Sequence, residues 1–318
     1  MKPLRAAGMN ALVTGGNAGI GYFVAEQLAS AGANVVLGCR DAGKAAAAAT
    51  AIREQIPGAS VDHMPLDLAD LQSLKSSVDT LELDRLDVVV LNAGVALDSP
   101  PRRESVDAYE LMFATNHLGH FALLHWLAPL LTAAPAARIV TTGSFAARSE
   151  RLDLDDLQST ESYDPKRTYG RSKLAQMSFG FELDRRLRTA GSPQLSVVVH
   201  PGGALDSLTP ARAGVHTRSR TQQLLGLPAG LLLHGKDAGA LPAVRAALDP
   251  DVSGGQLWGP RQFGLRGAPH VEQPHGHMTD PETAALLWTK SVELTGVDPM
   301  AAWDNVPDTP PPAGDRWF

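Results

Sequence analysis

The sequence predicts an α/β fold: a doubly wound parallel sheet of about seven strands with helices on both faces. Three observations predict it. Short β-branched runs alternate with longer Ala/Leu-rich stretches through the first two hundred of the 318 residues. The strand runs are apolar at nearly every position instead of every second one, as expected of strands that have a helical layer on each side and no solvent face. A glycine-rich turn, TGGNAGIG at 14–21, directly follows the first strand run and opens a helical stretch, the place where open α/β sheets take a ligand.

Strands are expected at 11–14, 34–38, 61–66, 87–91, 138–142 and 196–200, with a last one at 256–258. Helices are expected near 19–31, 41–55, 70–81, 105–133 and 167–190. A further helix should begin at Asp280-Pro281-Glu282, which reads as an N-cap, an N1 proline and a first-turn acid. No Pro/Gly/Ser linker or shift of composition divides the first two hundred residues, and residues 1–300 are expected to form a single domain. The segment 201–235 is punctuated by Gly and Pro, carries Arg212, Arg218 and Arg220, and ends in the apolar run 224–233. It reads as a cover over a site, its arginines as a solvated loop. The Pro-rich end, 301–318, reads as an extended tail.

Composition narrows the function. A formal net charge of −6 spread over an ordinary soluble composition, 44% hydrophobic and 19% charged, carries no footprint for nucleic acid or an anionic membrane. One cysteine, Cys39, excludes an intrachain disulfide framework and fits a reducing compartment. The start is too weakly apolar for a secretory signal, and the longest apolar run is about half a membrane span and broken by Pro228. The expectation is a cytoplasmic protein with no membrane anchor. Five histidines, His117, His120, His125, His275 and His277, have no accompanying ligand set and read as helix or loop residues, so no metal is expected. The acids Asp153, Asp155 and Asp156 read as a solvated helix start.

The glycine turn fits a dinucleotide. Gly15 allows a tight turn, Gly19 lets backbone approach a pyrophosphate, and Gly21 permits close packing of helix on strand. The helix start then offers unpaired N–H groups and the positive end of its dipole. At the end of the second strand run stands Cys39-Arg40, where a carboxylate would hold a free ribose 2′-hydroxyl. A guanidinium pairs with a 2′-phosphate in fork geometry, so NADP(H) is expected over NAD(H).

Tyr169-Gly-Arg-Ser-Lys173 opens the helical run after the fifth strand. Spacing of i, i+4 puts phenol and ammonium on one helix face, one turn apart. A phenol in water is mostly neutral at pH 7, and a neighbouring ammonium favours its phenolate. Tyr169 could therefore exchange a proton with an alkoxide.

The order of these elements resembles the short-chain dehydrogenase/reductase family, in its single-domain branch. The motifs concerned are TGGNAGIG, Asp67 in LDLADL, Asn92-Ala93-Gly94, Asn116 in NHLGH, Ser144 in IVTTGSF, the Tyr169/Lys173 pair and His200-Pro201-Gly202. The match runs from about residue 9 to 205. It implies catalytic roles for Asn116, Ser144, Tyr169 and Lys173. Ser144 would hydrogen-bond the substrate oxygen, where arriving hydride builds negative charge; Asn116 would support Lys173, which also contacts the nicotinamide ribose. It further implies cofactor contacts from Gly15, Asn17, Gly19, Ile20, Gly21, Arg40, Asp67, Leu68, Asn92, Ala93 and Gly94, and from Pro201 and Gly202 packing on the nicotinamide. The stretch between Ser144 and Tyr169 is longer than is commonest in the family and, with CRD, NHLGHF and HPG, resembles the retinol-dehydrogenase-like subgroup. The chain departs from the pattern at Asp206, where a threonine usually holds the carboxamide; Ser207 stands next to it.

The expectation is an NADPH-dependent oxidoreductase moving hydride between nicotinamide and a ketone or secondary alcohol, a ketoreductase for a bulky apolar or polycyclic substrate. Its partner would be that small molecule, with homo-oligomers common in the family. The alternative is a non-catalytic NADP(H)-binding regulatory protein, which has no evident use for the Asn/Ser/Tyr/Lys set. Sugar epimerase or dehydratase chemistry would resemble a branch with a GxxGxxG loop and a larger C-terminal domain, and the chain has neither.

Overall fold

The computed structural model describes residues 4–217, 219, 221 and 227–303. Eight strands form one sheet in the order β3-β2-β1-β4-β5-β6-β7-β8: β1 Asn10–Thr14, β2 Asn34–Cys39, β3 Val61–Pro65, β4 Val88–Leu91, β5 Arg138–Thr142, β6 Leu195–Val199, β7 Leu257–Gln262 and β8 Arg266–Glu272. The first seven are parallel. Alternate residues enter opposite layers. Leu12, Val36, Val89 and Ile139 pack under one set of helices, and Val13, Val35, Val88, Val90 and Val140 under the other, which explains the unbroken apolar runs. Around the strands lie α1 Gly19–Ser30, α2 Ala42–Gln55, α3 Leu74–Val78, α4 Leu111–Phe113, α5 Gly119–Thr132, α6 Pro165–Thr189, α7 Lys236–Gly239, α8 Leu241–Leu248 and α9 Pro281–Thr295.

The order reverses between β1 and β4: β1 continues outward to β2 on one side, and the chain then crosses to build β4 to β7 on the other. Helices diverge at such a point, opening a crevice at the carboxyl ends of the strands.

Several boundaries differ from the sequence expectation. β8 pairs antiparallel with β7 across an irregularity at Pro260/Gln262; its sequence, RGAPHVE, is half exposed at the sheet edge and reads as a polar loop. The helix expected from 105 begins only at Leu111, because Glu104 bridges to Glu110 and Ala108 takes a left-handed φ of 64°. Between α4 and α5 lies a π-helical turn, Ala114–Leu118, carrying Asn116. No helix starts at 153–156: Asp156 instead closes a turn by accepting from Thr160 and Glu161, and the helix starts at Asp164-Pro165, with the Asp164 side chain capping Arg167 N–H. Asp280 caps α9 through Thr283 N–H, as its sequence predicts. The chain is still packed beyond residue 300, with Trp303 buried in the core; residues 304–318 lie outside the described residues, as do Arg218, Arg220 and 224–226 of the apolar run.

Arg212 is not a solvated loop residue. Its guanidinium pairs with both carboxylate oxygens of Glu26 on α1 (2.6 and 2.8 Å), and Tyr22 Oη donates to the same carboxylate (2.9 Å). This clamps the first part of the 201–235 cover onto α1. Farther on, Leu231 and Leu232 are 79% and 62% exposed.

Candidate active site

A cavity of about 660 Å³ opens at the switch point. Its walls include Gly15, Asn17, Gly19, Ile20 and Gly21 of the glycine turn, Arg40 after β2, Asp67 and Leu68 after β3, and Asn92, Ala93 and Gly94 after β4. All eleven of these residues, singled out in the sequence as cofactor contacts, thus meet around one space. That space has the size and chemistry for a dinucleotide. Gly19 has a φ of 60° and nothing within 4 Å of where a Cβ would stand, so the turn presents bare backbone. No side chain caps the start of α1, leaving its first N–H groups for an anion. A Cβ on Gly21 would stand 2.4 Å from both Asn92 Nδ2 and Gly15 carbonyl oxygen, so helix and strand close on each other only through glycine.

Thr14 ties the turn to β4. Its hydroxyl accepts from the N–H groups of Asn92 and Ala93, each at 2.9 Å, while Asn92 Nδ2 donates to Thr14 carbonyl (3.0 Å). On the β2 side of the cavity, Arg40 is 66% exposed and its Nη1 lies 3.7 Å from Asp67 Oδ2. An exposed pair at that distance is worth little, so the guanidinium is available to a phosphate. Asp67 also accepts from Ala69 N–H (2.9 Å), which orders the turn after β3. Lys44, which the sequence reading passed over, lines the same side.

Asn116, Ser144, Tyr169, Lys173, Pro201 and Gly202 do not line this cavity; Asn116 and Lys173 stand directly behind its wall residue Gly94, Ser144 follows β5, Tyr169 lies on α6, and Pro201 and Gly202 follow β6. A Cβ on Gly94 would lie 3.0 Å from Asn116 Oδ1 and 3.4 Å from Lys173 Nζ, so both groups converge behind that wall residue. The π turn aims Asn116 inward: Oδ1 accepts from Val95 N–H (2.8 Å), and Nδ2 donates to Val95 carbonyl (3.0 Å) and Ser172 Oγ (2.9 Å). Lys173 Nζ is buried and donates to Thr142 carbonyl (2.8 Å) and Gln176 Oε1 (2.6 Å). Burial without a counter-charge pushes its ammonium down to about 7. Ser144 follows β5 and caps the short turn Phe145–Ser149 through Ala146 N–H. That turn touches the second turn of α6: a Cβ on Gly170 would stand 3.0 Å from Ala146 carbonyl, so Ser144 and half-buried Tyr169 sit on segments in direct contact. Gly202 N–H donates to His200 Nδ1 (3.3 Å), and Glu272 Oε2 is 3.1 Å from His200 Nε2 and 2.7 Å from Arg148 Nη2, which braces the turn after β6. Asp206 pairs with Lys236, Nζ to Oδ1 at 2.5 Å.

Two buried residues behind Lys173 have a part that the sequence reading does not assign: Gln176, which no motif includes, and His120, which ends NHLGH and reads as an ordinary helix residue. Gln176 Nε2 donates to Leu91 carbonyl (3.1 Å) and lies 3.2 Å from His120 Nδ1, and His120 Nε2 is 2.9 Å from Thr14 Oγ1. Lysine, glycine turn and β4 thus share one hydrogen-bonded network. The signal for Gln176 was present, since it lies three residues after Lys173 on the same helix face, but no periodicity separates it from a core-facing polar residue.

Fold and cavity define a class: doubly wound α/β proteins that take a ligand at the topological switch point. The profile of the short chain dehydrogenase family matches residues 9–154. Human retinol dehydrogenase 13 is 35% identical over 297 residues, 92% of this chain and 86% of that protein. Human polyprenol dehydrogenase is 33% identical over 294 residues, 90% and 85% of the two chains. The crystal structure of an uncharacterised protein from Mycobacterium Paratuberculosis superposes with a TM-score of 0.75 at 34% identity, covering 93% of this chain and 97% of that one. The chain belongs to the short-chain dehydrogenase/reductase family of oxidoreductases, in its retinol-dehydrogenase-like subgroup. No helix among the described residues is long and apolar enough to cross a membrane.

Proposed function

We propose that the protein is an NADP(H)-dependent oxidoreductase that interconverts a ketone and a secondary alcohol, working as a reductase on a bulky apolar substrate. The observation that carries the reading is the convergence of Asn116 and Lys173 on Gly94, a wall of the cavity. Preference for the 2′-phosphate is supported by Arg40 on the β2 side of the cavity and by the lack of a carboxylate at 39 or 40. The apolar substrate is supported by the two relatives named above, a retinol and a polyprenol dehydrogenase. The single sheet running from β3 to β8 supports treating residues 1–300 as one dinucleotide-binding and catalytic domain.

Bound in the cavity, the nicotinamide would supply the hydride. The chain's own part is at the oxygen. Ser144 Oγ donates a hydrogen bond to it, and Tyr169 gives it the phenolic proton, or takes that proton in the oxidation. Lys173 favours the phenolate left behind and offers its remaining N–H to the ribose, while Asn116 holds the backbone of Val95 beside it. Pro201 and Gly202 close the far wall against the nicotinamide.

The test is turnover of NADPH with a panel of hydrophobic ketones, read by loss of nicotinamide absorbance. Tyr169→Phe should lower kcat about 10³-fold and leave the NADPH Kd within about twofold. Turnover retained in this variant would overturn the role of Tyr169. NADPH binding by the wild type with no turnover on any substrate would favour the regulatory alternative.

A further inference from the structure

We propose that Lys236, reaching from the cover, binds the cofactor's pyrophosphate and is held in place for it by Asp206. The assignment rests on the dinucleotide reading above and adds a side-chain cation to a phosphate site otherwise made of backbone.

Lys236 begins α7 and forms part of the wall of the same cavity as the glycine turn. Three contacts fix where it stands. Its backbone N–H donates to Thr209 Oγ1 (2.9 Å). The next residue, Asp237, accepts through its carbonyl from Gln27 Nε2 of α1 (2.8 Å). Gly235, just before it, has no room for a side chain, since a Cβ would stand 2.6 Å from Leu208 carbonyl. The cover therefore enters this turn along one path and lies against the last turn of α1, while Lys236 itself lines the cavity that the uncapped start of that helix faces.

Charge points the same way. Among the described residues the other cations on the cavity wall are Arg40, just after β2, Lys44, in the first turn of α2, and Arg103. A pyrophosphate at the glycine turn carries two negative charges, and a helix start offers only the equivalent of about half a positive one. An ammonium has three N–H donors. One goes to Asp206 Oδ1 (2.5 Å), so the others can reach phosphate oxygens while the carboxylate keeps the side chain directed into the cavity. Asp206 is itself fastened: its carbonyl lies 3.2 Å from His216 Nε2, and its carboxylate 3.6 Å from His216 Nδ1. The position at which the family commonly has threonine here carries the anchor of a lysine.

The experiment compares three ligands by fluorescence or calorimetric titration: NADPH; 2′-phospho-ADP-ribose, which keeps the pyrophosphate without the nicotinamide; and 2′-AMP, which has no phosphate at the 5′ position. Lys236→Ala should weaken the first two about tenfold and leave 2′-AMP within twofold. Lys236→Arg should bind all three as the wild type does. An unchanged NADPH Kd in Lys236→Ala would overturn the proposal, as would equal losses on all three ligands, which would mark a structural role. A wild type that binds none of the three would overturn the dinucleotide reading itself, and this assignment with it. Wild-type binding with no response to Lys236→Ala would overturn this assignment alone.

Discussion

A lysine buried among neutral acceptors is held at a cost, and the cost depends on pH. Lys173 donates to Thr142 carbonyl and Gln176, and burial lowers its ammonium to about 7, against about 10.4 in an unfolded chain. Between these values the unfolded state holds the extra proton, so wild-type stability rises with pH across this window and the penalty is full only below pH 7. Lys173→Met removes the penalty. Measured by urea unfolding, its stability relative to wild type should fall by about 1.4 kcal/mol for each pH unit from 7 to 10. A difference that stays constant with pH would mean the lysine is not buried as a free ammonium. The same variant should lose turnover, so stability and activity would move in opposite directions at neutral pH.

At the scale of elements, the cover is tied down at named points, and these decide what it can do. Arg212 and Glu26 are both largely buried, and Tyr22 adds a hydrogen bond to the same carboxylate. Removing one partner leaves a charge buried without compensation. Arg212→Ala should therefore cost about 3 kcal/mol and expose the 201–217 segment to limited proteolysis, while Arg212→Lys, with one donor point in place of a fork, should recover only part of the loss. Thermal unfolding together with peptide mapping checks both. Stability within 0.5 kcal/mol of wild type would show that the clamp contributes nothing net.

Across the whole molecule, acid should act through the core. His117 and His120 are fully buried and held neutral, at about 3, chiefly by burial. His117 packs among Phe113, Phe121 and Phe179, with Nε2 2.8 Å from Ser291 Oγ. Below about pH 6.5 the unfolded chain takes up protons that the folded one refuses, so each histidine withdraws stability as pH falls, by about 1.4 kcal/mol per unit. Glu110 and Asp184, raised by burial, act in the opposite sense. The difference between wild type and His117→Phe isolates one histidine: unfolding midpoints from pH 7 to 4 should fall less steeply in the variant, and parallel curves would contradict the burial of a neutral ring.

Sequence by itself determined what local chemistry can carry. Strand runs without a polar face imply two covering layers, glycines at 15, 19 and 21 imply a backbone turn that approaches a ligand, and Tyr169 and Lys173 share a helix face because of their spacing. All of these are short-range facts, legible within a few residues. What only the tertiary structure decided was which distant groups meet. Asn116 and Lys173 converge on Gly94 across more than fifty residues, Gln176 and His120 link lysine to glycine turn, Arg212 finds Glu26, and Lys236 reaches the cavity from the cover. Asn116 and Lys173 stand out in the sequence by their family motifs, but each of the others is one polar residue among many, because pairing across a sheet or through a core leaves no periodicity behind. The antiparallel β8 was hidden for a related reason: an edge strand buries too little of itself to be written in apolar residues, and its partner, β7, exists as a template only once the sheet has formed.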